Sequence, residues 1–137
     1  MGNAYELNLT TVSYRNTATT TIPQYRFCRL CTTLENVDLI AVAGLKPFGI
    51  TQTAIHPGET GPVAIPPSIS RLRMCSTAYT TLALNTTNVC IGSNALGLGI
   101  VFTTSNLFIM AQPDHANAYA ASDIIAVRLQ APTRWYQ

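Results

Sequence analysis

A chain of 137 residues is long enough for one compact domain, and at this size roughly two thirds of the unfolded surface can be buried without help from a metal or a disulfide. Only 10% of the residues are charged against 47% hydrophobic, so the polar surface must come largely from Thr, Ser, Asn and Gln, as suits a β-rich chain that covers much of itself with other protein. The net charge of +2 rests on seven scattered arginines and one lysine without a basic stripe, which argues against direct binding of nucleic acid.

Residues 1–15 lack a basic start followed by an apolar core, so no secretory signal is expected. Met1-Gly2 resembles a myristoylation start, but Glu6 stands where that motif needs Ser or Thr. Tyr5, Leu7 and Leu9 alternate with Glu6 and Asn8, the two-residue period of a strand. Residues Asn16 to Pro23 are polar and β-branched with no apolar face, which predicts an extended connector. Residues 1–23 therefore read as an N-terminal arm outside the domain proper.

From Gln24 onward short strand signals follow one another: Tyr25–Thr32, Val37–Ala43, Phe48–Thr53, Val63–Ile65, Ile69–Cys75, Thr80–Leu84, Val89–Ile91, Gly99–Thr104, Leu107–Ala111 and Ile124–Leu129. Pro57-Gly58 predicts a tight turn, Gly58 supplying the positive φ, and Gly49 and Gly61 read as further turn residues. The apolar run from Ala95 to Ala111 is broken by Thr103 to Asn106 and is too short to span a bilayer, so no membrane partner is expected. Ala116 to Ala121 is the single stretch with a helical composition. Many short strands between Gly/Pro turns predict an all-β fold, a single small β-sandwich or barrel-like domain over 24–131, with a C-terminal tail at 132–137.

Candidate chemistry is sparse. Cys28 and Cys31 form a C-x-x-C, but no second pair exists to complete a zinc site, and Cys75 and Cys90 stand alone. Tyr25, Phe27 and Leu30 around it favour a strand, in which residues three apart face opposite sides roughly 10 Å apart and can share neither a metal nor a disulfide. These cysteines read as structural thiols. His56 precedes a turn and His115 follows Asp114, with no serine in a nucleophile elbow. The six carboxylates are dispersed, and the glycine-rich Gly92–Gly99 run lacks the Lys-Ser/Thr of a phosphate loop. The expectation is a non-enzyme with no cofactor and no metal.

The ends carry the remaining signal. Tyr5, Leu7, Leu9, Val12 and Tyr14 at the start, with Trp135 and Tyr136 at the finish, are residue types enriched where protein surfaces meet. Each end either folds back on its own domain or reaches a neighbour, for which strand addition to an exposed edge is the available mode.

From about Cys31 the order of segments resembles a known family. Val37 to Ala43 is followed by Lys46-Pro47-Phe48-Gly49-Ile50-Thr51, then Ala54 to Glu59, then Pro62-Val63-Ala64-Ile65, and the chain closes on Ala121 to Leu129. This pattern is similar to the β-rich capsid decoration, or cement, proteins of tailed bacteriophages. The chain departs from it at Met110-Ala111-Gln112-Pro113, where the family often has a glycine-alanine step. The resemblance implies a structural virion protein on the outer capsid surface, assembled in the host cytoplasm as a homo-oligomer, a trimer being favoured. Its partner would be the major capsid protein, whose subunits it would bridge against the pressure of packaged DNA. A carbohydrate- or receptor-binding β-sandwich on a virion surface is the other reading, with Tyr79, Tyr119 and Trp135 as the aromatics it would use.

Overall fold

The computed structural model describes residues 9–31, 36–40, 45–76, 79–82, 91–101, 107–114 and 117–135. Among them are twelve strands and no helix: β1 (Thr10–Asn16), β2 (Phe27–Leu30), β3 (Asn36–Leu39), β4 (Gly49–Thr51), β5 (Thr60–Ile65), β6 (Ser68–Arg73), β7 (Tyr79–Leu82), β8 (Ile91–Ser93), β9 (Gly99–Val101), β10 (Leu107–Pro113), β11 (Asn117–Tyr119) and β12 (Ile124–Trp135). The fold is all-β. A closed barrel of order β1-β3-β2-β4-β5 packs against a five-stranded sheet of order β6-β12-β10-β8-β9, and β11 pairs with β7 in a two-stranded sheet.

Alternation explains both cores. Val12 and Tyr14 of β1 face the barrel interior half-buried and Asn16 is fully buried, while Thr11, Ser13 and Arg15 face solvent. In β2, Cys28 points into an interior cluster with Ile22, Val37, Ile55 and Val63. Its neighbour Phe27 points the other way, into the larger core shared with Leu72, Met74, Ile91, Met110 and Val127 of the second sheet. Val63 and Ala64 of β5 divide between the same two clusters. Successive side chains of a strand lie on opposite faces, so these staves form a wall buried on both sides.

Two boundaries differ from the sequence expectation. Residues 10–23 are not an arm outside the domain: β1 pairs with β5 over six residues, from Thr10↔Ile65 to Arg15↔Thr60, and with β3 in parallel. The polar connector is held in place by Asn16, whose Nδ2 donates to the carbonyls of Ile55 at 2.7 Å and Thr20 at 3.0 Å, while its Oδ1 accepts from the Ala18 N–H at 2.8 Å. Ile22, fully buried, exchanges backbone hydrogen bonds with Ile55. At the other end β12 runs on to Trp135, which pairs with Leu107, so residues 132–135 belong to the second sheet. The alanine-rich stretch gives a strand too, with Asn117 and Tyr119 paired to Leu82 and Tyr79.

Of the expected turn residues, Pro57 and Gly58 sit in a turn, with Gly58 at φ +81°. Gly49 and Gly61 are strand residues instead. A Cβ on Gly49 would fall on the carbonyl oxygen of Ala64 and 2.7 Å from Val63 Cγ1, and one on Gly61 would meet Ile55 Cγ1 at 2.7 Å. Both are glycines because the barrel is narrow there. Gly49→Ala should therefore destabilise the fold by about 1–3 kcal/mol, read as a lower urea midpoint at unchanged slope.

The cysteine pair divides as strand geometry predicts. Cys28 is buried, its thiol donating weakly to the Gly49 carbonyl at 3.7 Å, whereas Cys31 lies just beyond β2 with its sulfur 3.2 Å from Thr17 Oγ1. Neither is in a disulfide. Burial pushes the Cys28 thiol up from 9.0 to about 12. Between those values the unfolded chain loses this proton and the folded chain keeps it, so stability falls as pH rises. The expected slope from this group reaches about 1.4 kcal/mol per pH unit, present in wild type and missing from Cys28→Ala when denaturation is measured across that window. Iodoacetamide should label Cys31 in the native protein well before Cys28; equal rates would contradict this placement.

Candidate functional site

The residues expected at a partner surface separate into groups. Tyr5, Leu7 and Tyr136 lie outside the described residues. Leu9 is 40% exposed, immediately before β1. Val12 and Tyr14 are half-buried residues of the barrel, their parity in β1 being that of buried Asn16. Tyr14 packs edge-on against Phe48, with ring centroids 4.8 Å apart and planes at 74°. Trp135 is the last residue of β12.

A different feature emerges where the barrel meets the far end of β12. Leu30 at the end of β2 is 49% exposed, the result of a strand that buries Phe27 and Cys28 and then turns Arg29 and Leu30 outward. Beside it the segment Leu45-Lys46-Pro47-Phe48 leads into β4, Ile65 and Pro66 end β5, and Ala131 and Pro132 approach from β12. Together they enclose a groove of about 630 Å³. This lies in the range of about 300–1,000 Å³ that takes a drug-sized body or a few large side chains.

One irregularity in pairing builds the fourth wall. In the β10–β12 ladder Ala111 opposes Leu129 and Ile109 opposes Thr133. One residue of β10, Met110, thus faces three of β12, Gln130, Ala131 and Pro132. A bulge of this kind bends its strand and re-aims its side chains. Proline is tolerated there because no ladder hydrogen bond requires its missing N–H. The two residues that line the groove, Ala131 and Pro132, are bulge residues.

The groove is apolar with a positive rim. Among the described residues its charged lining side chains are Arg29 and Lys46, with no carboxylate. Arg29 Nη2 is 3.3 Å from Asp38 Oδ2, with both side chains partly exposed, a pairing that solvent weakens. Lys46 is exposed. Among the described residues no group of three or more His, Cys, Asp and Glu is placed to hold a metal ion. His56 is an exposed turn residue with Nδ1 2.9 Å from Thr21 Oγ1.

The sequence places Leu30 in a strand but does not give its outward face, and it puts Pro132 in a C-terminal tail. The prolines of the groove are Pro47 just before β4, Pro66 just after β5 and Pro132 within β12. Their convergence depends on the barrel's closure and on the bulge, which no local pattern encodes.

No family model matches the sequence, and no curated protein matches it. Among solved structures the chain is similar in fold to the head fiber gp8.5 N base of bacteriophage phi29, with a TM-score of 0.63 at 7% sequence identity, over 89% of this chain and 94% of that one.

Proposed function

We propose that this chain is a structural protein of a phage virion, seated on the outside of the capsid and acting through its surfaces rather than through catalysis. The observation that carries the reading is the fold likeness, which takes in nearly the whole of a head fiber base, 94% of that chain. The resemblance of Val37–Ile65 and Ala121–Leu129 to capsid decoration proteins points the same way from the sequence. An apolar, cation-rimmed groove and exposed leucines, Leu30 at 49% and Leu96 at 62%, suit a protein whose work is holding others.

In the finer form of this reading the chain bridges neighbouring major capsid subunits as a homo-oligomer, a trimer by preference, and stiffens the shell against DNA pressure. Several modest contacts made at once by a cyclic assembly give high avidity from a small domain. It needs no cofactor and does not touch nucleic acid.

Purified protein mixed with capsids of the phage that encodes it should co-sediment with them and saturate at a fixed copy number. Particles lacking it should rupture at lower temperature and under milder osmotic shock. Failure to co-sediment overturns the proposal, and equal fragility with and without the protein removes its stabilising part.

A further inference from the structure

The groove beside β12 has a chemical complement within this same sequence. Among the described residues its walls are apolar and its charged lining residues are the cations Arg29 and Lys46. Tyr5-Glu6-Leu7-Asn8-Leu9 carries three large apolar residues in strand alternation, with Glu6 as the single charge in the first fourteen residues. Five residues in extended form span roughly 13 Å from first to last Cα.

Two features of the described chain bear on which groove this segment can reach. The first is parity. Within β1 the inward residues are Val12, Tyr14 and Asn16, and the outward ones are Thr11, Ser13 and Arg15. Leu9 shares the outward parity and is 40% exposed. A strand that kept this alternation would carry Leu7 and Tyr5 on that outward face as well, since a shift of one residue exchanges the faces.

The second is the point of departure. The Thr10 N–H donates to Ser68 Oγ at 2.8 Å and its hydroxyl donates to the Pro67 carbonyl at 3.0 Å. Thr10 therefore borders a small hollow with Pro67, Ser68, Ile69, Arg128 and Leu129. The large groove takes in Ile65 and Pro66 but none of those residues. Ile65 of the groove is the ladder partner of Thr10, so the chain leaves β1 beside the groove's Ile65-Pro66 wall, where a neighbouring copy's segment and its own are the two contenders.

We propose that the groove receives the segment Tyr5–Leu9 of a second copy of this chain, its apolar side chains against Leu30, Phe48 and Pro132 and Glu6 beside Lys46. Segment and groove are different surfaces, so the contact is heterologous, and repetition around an axis closes a ring. The proposal rests on the oligomeric part of the function proposed above and gives it a physical joint.

The test places the photo-crosslinker p-benzoylphenylalanine at Leu7, irradiates the full-length protein, and maps the products by gel mobility and peptide mass. The expected product is an inter-chain adduct on Leu30, Leu45–Phe48 or Ala131-Pro132. Light scattering should show an oligomer for wild type, and Lys46→Glu should weaken assembly by up to about fivefold, restored when combined with Glu6→Lys. Leu30→Asp, at an exposed position, should weaken it by roughly tenfold or more with unchanged thermal unfolding at low protein concentration. An intra-chain adduct only, an adduct elsewhere, or a monomeric wild type overturns the proposal. Capsid co-sedimentation of the same variants separates the two ideas: full binding by a chain shown to be monomeric sinks the joint and leaves the capsid reading standing, and loss of capsid binding with the adduct intact does the reverse.

Discussion

Two cores share one wall, and the rest of the molecule follows from that constraint. Strands β2, β4 and β5 must present apolar or very small side chains to the barrel interior on one face and to the second sheet on the other. Phe27 with Cys28, and Val63 with Ala64, are adjacent pairs in which both members are buried. Most of the polar groups inside are consumed locally: Thr51 Oγ1 donates to Pro23 O at 2.7 Å and Ser70 Oγ accepts from Gln52 Nε2 at 2.9 Å, while Arg26 Nε, beside Phe27, is buried without a partner. Among these three staves the charge is Arg29, near the end of β2 where the strand has turned outward.

The same constraint shows which parts of the fold were legible in sequence. Short strands with glycine and proline between them gave the class, because alternation and turn chemistry are local. The barrel's first stave was not legible, because Val12 and Tyr14 alternate with Thr11, Ser13 and Arg15 in a pattern equally suited to an arm on a neighbour. What decides the matter is distant: β5, some fifty residues on, supplies the partner ladder. Asn16 to Pro23 looked like a free connector because its polar side chains satisfy backbone groups that the sequence does not reveal as needing partners. Buried Ile22, anchored on Ile55, was the one apolar clue in that stretch.

The glycines taught a related lesson. Gly58 was readable as a turn residue from Pro57-Gly58, a local signal with a local cause. Gly49 and Gly61 carry no such signature, since the small size of Gly49 answers to Val63 and Ala64 on the neighbouring strand and that of Gly61 to Ile55, all distant in sequence or outside any turn motif. The candidate site was hidden for the same reason. Its walls come from four separate segments, and its last wall exists because Gln130 to Pro132 are surplus to the ladder with β10.

Closure also changes the mode of recognition that this protein has available. A closed barrel presents no edge for strand addition. The second sheet's edges are occupied too: β9 meets Met74 through a parallel bridge at Gly99, and β6 is tied to the barrel where the Arg73 N–H donates to Tyr25 O at 3.0 Å and Ser68 Oγ accepts from Thr10. Among the described strands, open edges are left to the short β7–β11 pair. Away from that pair, the described surface offers a partner side chains, in hollows and on exposed leucines, rather than main-chain hydrogen bonds along an edge. The groove beside β12 owes its shape to a bulge and its charge to Arg29 and Lys46, so the feature that breaks the regularity of the second sheet also shapes a surface suited to hold another chain.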